Sequence, residues 1–450
     1  MPQQLPIVSQ QETHIPVLIG FLCFSLILGF SGLGDLLTLS FPFISFGVGL
    51  YFYKKSQSTY IRFVWWLWFL SPLIRRIADQ YSSYTEPSIL LLAPFMVTLI
   101  SVKGFFDDWT SQKLPFLMST YAVIYGAVIA VFFQSPTSLV ITTLDWLVPV
   151  VFASFLYTNW RSYPEIRSLF QSTFLWGLLL MGAYGVVQFL FLPEWDKSWM
   201  INAEFASAGR PEPFMINVWS TMSSNRPLST VFMAGLLHLL VMDRKGPLFL
   251  GANIFGFMTF LLARKRTSWL SFVVGLILLM GSLSLRKQVQ IIATAIAIAL
   301  CLVPLVSLEP FSEVIVGRLE TLSNLESDGS AEARQETYAA LQDEAFGSWI
   351  GEGLGAGSFD SAILSSLLSI GWFGSSIYFG GLAISLLKMA IIPLKPGDSF
   401  AAASRAVAFA TVTQLPLGQP HTEVQGMIMW SSIALVLSAQ KYHAYHQMIA

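Results

Sequence analysis

Residues 361–391 read SAILSSLLSIGWFGSSIYFGGLAISLLKMAI, and no charged side chain precedes Lys388 in this stretch. About 20 consecutive apolar residues are enough for an α-helix to cross the hydrocarbon core of a membrane. The stretch is long enough for one tilted helix, or for a helix with a re-entrant piece. In either arrangement it predicts a chain that is embedded in lipid.

Similar apolar runs recur along the 450 residues, of which 54% are hydrophobic and only 11% charged. An average soluble protein has about 25% charged residues, so a water-soluble fold could not hide this much apolar surface. We therefore predict an all-α, polytopic bundle of about 12–14 transmembrane helices that forms one membrane domain over residues 1–450. The candidate spans are 15–32, 35–53, 58–74, 87–104, 114–133, 136–159, 168–192, 227–242, 246–263, 267–285, 288–306, 361–391, 400–417 and 424–440.

The first apolar run is expected to be a retained helix, because no Lys or Arg precedes Lys54 and no small-residue cleavage site follows the run. If the N-terminus is cytoplasmic, 14 Lys and Arg residues lie inside and 10 lie outside, a bias that favours this orientation. Loops on the outer side of a membrane normally contain few Lys and Arg residues. Nine of the ten outside bases nevertheless fall in four groups: Arg75–Arg76, Arg210–Arg226, Arg264–Arg266 and Arg318–Arg334.

The net charge of −1 and the lack of a DNA- or RNA-binding motif predict no nucleic-acid partner. Membrane lipids are the expected surroundings. Cys23 and Cys301 lie far apart in apolar runs, which predicts buried free thiols. The histidines show no zinc-type spacing, so no metal site and no other cofactor is expected.

Residues 307–360 form the one long hydrophilic interruption, with 13 of the 51 charged residues in 54 positions. A single large charged loop in a polytopic protein is where specific function is expected. We predict that this loop is extracytoplasmic and that residues 331–346 form a short amphipathic helix on the outer membrane face. Residues 193–226 form a second, smaller outer loop whose tryptophans predict a position at the interface or over the bundle.

The outward arginines are the first candidates for chemistry, since a guanidinium grips phosphate oxygens two at a time. Several of them at the outer interface would suit a diphosphate headgroup whose lipid tail stays in the bilayer. The alternative for any single arginine is that it snorkels from a helix end to lipid headgroups.

Three further residues are candidates. Asp360, at the start of an apolar run, would be a general base for a sugar hydroxyl or a helix N-cap. His421 is a candidate because it is the only histidine expected on the outer side near polar neighbours. It is a secondary one, since a lone loop histidine is usually just solvated. Asp145 lies within an apolar run, where a carboxylate is costly and is a functional-site hypothesis by default; the alternative is a helix break ahead of Pro149.

The glycine run 351–357, GEGLGAG, lacks the Lys-Ser/Thr ending of a nucleotide-binding loop. It is typical of a re-entry hinge where the backbone turns sharply. Its amides would alternatively hold an anion.

The order of several short motifs resembles that of the O-antigen ligase and O-antigen polymerase superfamily of bacterial envelope glycosyltransferases. The resemblance covers roughly residues 220–390, and RRIAD at 75–79 is similar to a signature of some polymerase homologues. The matching motifs are NRPLST (225–230), RKRTSWL (264–270), ARQETY (333–338), IGEGLGAGSF (350–359) and LSIGWFG (368–374).

This resemblance implies an inverting, metal-independent, multi-pass transferase of the bacterial inner membrane. It would move a glycan from an undecaprenyl diphosphate carrier to a hydroxyl of an acceptor glycan or lipid, with chain-length or export proteins as further partners. The positions that match the diphosphate-binding arginines are Arg334 and either Arg264 or Arg266. Arg226, Arg75 and Arg76 are further candidates.

The sequence departs from the ligase pattern where Asp360-Ser361 stand at the place of a histidine after the glycine run. Asp360 would replace that histidine, or His421 would supply it from another loop, and the departure weakens a ligase more than a polymerase. The alternative function is a membrane transporter of inorganic carbon or a small solute, which should show paired broken helices and polar residues near the midplane. A third reading is a non-catalytic assembly factor with the same fold.

Overall fold

The computed structural model describes residues 15–106, 113–204, 206–243, 246–307, 309, 311–312, 343, 345–357 and 359–449. Within these ranges the protein is helical and contains no strand, apart from one isolated bridge between Gly209 and Ile216. The α-helices are α1 (Ile15–Phe30), α2 (Gly34–Lys55), α3 (Gln57–Gln80), α4 (Leu92–Leu99), α5 (Val102–Phe106), α6 (Leu114–Ala130), α7 (Pro136–Thr158), α8 (Tyr163–Phe191), α9 (Glu194–Asn202), α10 (Asn225–Leu240), α11 (Pro247–Leu262), α12 (Arg266–Gly281), α13 (Leu285–Val306), α14 (Ala362–Ile391), α15 (Ser399–Val412) and α16 (Glu423–Ile449).

Every predicted apolar run is occupied by helix, and four of the described helices are long and apolar enough to cross a membrane. These are α2, α7, α14 and the segment Trp160–Phe191, which contains α8. Five further apolar helical segments have 10–17 residues. At 1.5 Å per residue, the longest of these measure about 24–26 Å, slightly less than a hydrocarbon core of about 30 Å. The fold is therefore that of an all-α membrane protein.

One predicted span is wrong as a single helix. The run 87–104 divides into a 3-10 turn with α4, which ends at Leu99, and the short α5, which begins at Val102. The helical segment Ile89–Leu99 measures about 16 Å, too short to cross a membrane as a regular helix. Hydropathy does not register this break, because the residues on either side of it are apolar.

The helix connections meet at two ends of the bundle. At one end, the Asn225 side-chain amide donates to the Ala263 carbonyl (3.0 Å), and the Ala362 amide donates to the Gly418 carbonyl (2.9 Å). At the other end, Tyr163 donates to Asp398 (2.8 Å). We call the first end the arginine end, because Arg264 lies in one of its connections and Arg75, Arg76, Arg226 and Arg266 lie near the helix ends that adjoin them.

Helices α8 and α11 pack closely through glycines. A Cβ atom on Gly182 would lie 2.8 Å from the Phe255 carbonyl carbon, and one on Gly185 would lie 2.5 Å from the Thr259 side chain. The Thr259 hydroxyl donates across the interface to the Gly182 carbonyl at 2.7 Å. Small residues with polar cross-links are typical of helix contacts in membranes, where lipid offers no hydrophobic driving force between helices.

Helix α14 is broken at Gly371, whose φ of 62° and ψ of −176° are not helical. Of the two arrangements left open by the sequence, a single continuous helix is therefore wrong, and α14 consists of two helical pieces. The part after the break has about 20 residues, which suffices for a membrane crossing. Backbone bonds with segment 348–353 replace the lost helical bonds: Glu352 N to Leu368 O (2.8 Å), Gly353 N to Ser369 O (2.9 Å), Trp372 N to Ser348 O (3.2 Å) and Phe373 N to Trp349 O (3.2 Å).

Cys23 and Cys301 are free thiols, but the prediction that they are buried is wrong. Both lie exposed on the outer surfaces of α1 and α13. An apolar run in a membrane protein has one face toward lipid, so an apolar setting in the sequence does not imply burial inside the protein.

Candidate functional site

The arginine end brings Arg226 and Arg264 onto adjacent pieces of chain. Arg226 lies in the first turn of α10, and Arg264 lies in the connection between α11 and α12. The hydrogen bond from Asn225 to Ala263 joins the residues next to them, and the Val218 amide donates to the Leu262 carbonyl at 3.1 Å. The backbone pieces that carry two of the predicted diphosphate-binding arginines are thus bonded to each other.

Arg264 is a cation whose Nε is buried and finds no hydrogen-bond partner among the described residues. Its backbone is left-handed (φ 55°), a conformation that costs free energy for a residue with a side chain. Burial lowers the pKa of the Arg264 guanidinium from its ordinary value, because a partly desolvated cation is destabilised. An anionic ligand would relieve both the desolvation and the unused donor. Arg266 begins α12 two residues later.

Arg226 forms an ion pair with Asp360 across the bundle end. The pair is reachable from solvent, since 28% of the Arg226 side chain and 37% of the Asp360 side chain are exposed. Asp360 is not the N-cap of α14, so that alternative is wrong. The cap is Ser361, whose hydroxyl accepts a hydrogen bond from the Leu364 amide.

The connection between α15 and α16 fixes the position of Asp360. The Gln419 side-chain amide donates to the Phe359 carbonyl at 2.7 Å, and the Ala362 amide donates to the Gly418 carbonyl at 2.9 Å. The residues on both sides of Asp360 are therefore bonded to the same loop. This leaves the carboxylate directed toward Arg226 rather than packed in a helix.

The glycine run turns sharply, as predicted for a hinge. Gly351, Gly353 and Gly355 have φ values of 86°, 92° and 94°. A Cβ atom on Gly353 would lie 2.4 Å from the Ala130 Cα atom, which only glycine avoids. The alternative that the amides of this run hold an anion is wrong for residues 352–354, because those amides donate to protein carbonyls.

Two more carboxylates lie beside the ion pair. Glu423, the first residue of α16, is within electrostatic reach of both Arg226 and Asp145. Glu423 is exposed and Asp145 half-buried, and protein atoms surround both carboxylates closely. We call the group of Asp145, Arg226, Asp360 and Glu423 the polar cleft. Helix α7 continues through Pro149, so the proposed helix break near Asp145 is wrong.

Glu423 was missed by the sequence reasoning, although a signal for it exists. It has a left-handed backbone (φ 49°) at the point where the polar loop 418–422 enters an apolar helix. A carboxylate at a helix N-terminus is usually explained by its favourable interaction with the helix dipole, so a functional role for such a residue is easily overlooked.

His421 is buried, in contrast to the solvated position expected for a loop histidine. Its ring lies edge to face against Trp146 (4.3 Å between centroids) and near Tyr378 (5.8 Å). Neither ring nitrogen has a hydrogen-bond partner in the described part of the chain. Burial lowers the pKa of His421 to about 3, which keeps the ring neutral. With 0% of its surface accessible, His421 does not contact a substrate in this conformation.

Arg75 and Arg76 lie apart from the polar cleft, and carboxylates of the protein occupy both guanidiniums. Arg75 bonds to Asp79 (3.1 Å) and Glu86 (2.7 Å). Arg76 is 1% exposed and pairs with Asp196 at 2.8 Å. Arg334, together with nearly all of the predicted amphipathic helix 331–346, lies outside the described residues.

No group of three or more His, Cys, Asp or Glu side chains in the described ranges has an arrangement that would hold a metal ion. Comparisons with family models, with curated proteins and with solved structures find no match to this chain. The functional assignment therefore depends on the geometry of the arginine end and on the motifs of the sequence.

Proposed function

We propose that the protein is an O-antigen or exopolysaccharide polymerase-like glycosyltransferase of the bacterial inner membrane. It moves a glycan from undecaprenyl diphosphate to an acceptor hydroxyl on the outer face. The observation that carries this proposal is that Arg226, which is paired with the carboxylate of Asp360, and Arg264 lie on adjacent pieces of chain at one end of an apolar bundle. This combination offers cations for a lipid diphosphate and a base for a hydroxyl, while the lipid tail stays in the bilayer.

Arg226 and Arg264 bind the diphosphate in this proposal, with Arg266 and Arg334 as additional ligands. In the reaction, the acceptor oxygen forms a bond to the anomeric carbon of the donor, and the bond from that carbon to the phosphate oxygen breaks. The electron pair leaves with the diphosphate. Preorganised guanidiniums stabilise the charge that develops on the leaving group.

Asp360 takes the hydroxyl proton. In the structure its negative charge is compensated by Arg226. A diphosphate that binds Arg226 competes for the same guanidinium and releases the carboxylate next to the acceptor. Glu423, which also lies within reach of Arg226, is the alternative acceptor for this proton.

Cells that carry Arg226→Ala or Arg264→Ala test this proposal. Both variants should insert normally, accumulate the lipid-linked precursor and lose long glycan chains. Arg210→Ala is the matched control, because Arg210 is an exposed arginine of the same outer loop. Wild-type chain lengths in both site variants would refute the diphosphate site.

A transporter of inorganic carbon or a small solute is the second candidate, and the break at Gly371 together with Asp145 favours it. Discontinuous helices and carboxylates within the membrane are typical of solute pathways. Asp145→Asn separates the two functions. A transporter would lose uptake in this variant, whereas a transferase with intact arginines would keep its diphosphate binding.

A further inference from the structure

Arg76 forms a buried ionic network inside the arginine end. Its Nε lies 2.8 Å from an oxygen of Asp196, and the exposed fractions of the two side chains are 1% and 0%. The two other guanidinium nitrogens donate to the carbonyls of Ser220 and Met222. A charged group with so little exposed surface is retained only where its partners satisfy it.

Gln188 of α8 joins the same network. The side-chain carbonyl of Gln188 accepts hydrogen bonds from the backbone amides of Trp219 (3.1 Å) and Ser220 (2.8 Å). The side-chain amide of Gln188 donates to the Asp196 carboxylate (2.8 Å). Ser220 has a left-handed backbone (φ 50°), which surrounding contacts must hold in place. We call Arg76, Gln188, Asp196 and the backbone of Ser220 the Arg76 lock.

The Arg76 lock holds the piece of chain that leads into Arg226. Met222, whose carbonyl Arg76 binds, precedes Arg226 by four residues. The same piece bonds to the neighbourhood of Arg264 through Val218 and Asn225. A displacement of residues 218–225 would therefore move both Arg226 and Arg264.

We propose that the Arg76 lock is a positioning device for Arg226 and Arg264, and that Arg76 itself does not touch the substrate. This inference rests on the proposed function, because the arginines it positions are those assigned to the diphosphate. The network sets the geometry of the segment 218–225 before a ligand arrives. Small displacements of binding groups are costly, since an error of about 1 Å can reduce rates about 100-fold.

Arg75 provides a matched control on the same helix. Its side chain donates to Asp79, Thr85 and Glu86, and 60% of the Glu86 side chain is exposed. These partners lie at the α3–α4 connection, away from the segment 218–225. Arg75→Met and Arg76→Met remove the same charge from adjacent positions, but only the second removes the donors to Ser220 and Met222.

The test uses the full chain in lipid nanodiscs and has two readouts. The first is the affinity for a fluorescent farnesyl diphosphate. The second is the rate at which an impermeant thiol reagent modifies Ser223→Cys, in a background where Cys23 and Cys301 are replaced by serine. We expect Arg76→Met to weaken binding about 10- to 100-fold and to accelerate labelling, while Arg75→Met changes neither by more than about twofold.

Arg226→Ala distinguishes a failure of the proposed function from a failure of the positioning role. If this variant binds the diphosphate as tightly as the wild type, the proposed function fails, whatever the lock does. If Arg226→Ala abolishes binding while Arg76→Met behaves like Arg75→Met in both readouts, the positioning role is overturned.

If Arg76→Met folds poorly, a variant in which both members of the buried ion pair are apolar separates a positioning role from a general effect on stability. The double variant Arg76→Met, Asp196→Leu removes both buried charges and should regain thermal stability, as paired replacements of buried ions often do. It still lacks the donors to Ser220 and Met222, so binding should stay weak. Full recovery of binding together with stability would show that the lock is merely structural.

Discussion

Asp360 and Arg226 form an ion pair although 134 positions separate them in the sequence. The pair joins the end of the long hydrophilic segment to the first turn of α10, so the polar stretch 307–360 returns to the bundle at the predicted diphosphate site. Asp360 is also excluded as the helix cap, since Ser361 caps α14.

Asp360→Asn should reduce the transfer rate by about 10²- to 10⁴-fold, the usual contribution of a general base. The amide keeps the size of the side chain but cannot accept the hydroxyl proton. Diphosphate binding should persist or tighten, because Arg226 loses its competing anion. Single-turnover kinetics and a binding titration measure the two effects separately. A rate unchanged from the wild type would transfer the role of base to Glu423.

Arg264→Gly should remove diphosphate binding without disturbing the backbone. Glycine adopts the left-handed φ of 55° freely, so the connection between α11 and α12 keeps its shape. Arg264→Lys should recover only part of the affinity, because an ammonium cannot form the bidentate contact of a guanidinium. Equal affinities of the glycine and wild-type proteins for farnesyl diphosphate would exclude Arg264 from the site.

Gly353→Ala should destabilise the protein by about 1–3 kcal/mol, the cost of strained backbone at such positions. The added Cβ would lie 2.4 Å from Ala130 Cα, and the φ of 92° is unfavourable for alanine. Gly347→Ala is the control, since a Cβ there meets nothing within 4 Å. The melting temperatures of the two variants in detergent should differ, and equal values would refute the packing described for the glycine run.

The stability of the protein should fall with acid because of His421. The pKa of the folded state is about 3, below the ordinary value of 6.5, so the unfolded chain binds the extra proton between these values. This contribution is fully present above pH 6.5 and is lost as the pH falls toward 3, by at most about 1.4 kcal/mol per pH unit. His421→Phe removes the titration. Parallel stability curves for the variant and the wild type from pH 7 to pH 4.5 would contradict the burial of this ring.

The helices could be predicted from the sequence because hydropathy is a local property. The breaks could not, since the interruption at Gly371 is made by backbone bonds from residues 348–353, which no pattern within α14 records. A sequence of apolar residues is compatible with both a continuous and a broken helix. The partner segment decides between them.

The candidate site was predictable in part for the same reason. The clustering of arginines pointed to the end of the bundle at which Arg226 pairs with Asp360, but it could not distinguish Arg76 from Arg226. Arg76 is withdrawn from solvent by Asp196, a residue 120 positions away along the chain. Glu423 was missed because its position at a helix start already has an ordinary explanation.

The release of undecaprenyl diphosphate from a lipid-linked glycan, in nanodiscs containing EDTA, tests the central claim most directly. The wild type and Arg210→Ala should release the carrier without a metal, and the double variant Arg226→Ala, Arg264→Ala should not. Release at the wild-type rate by the double variant would contradict the account.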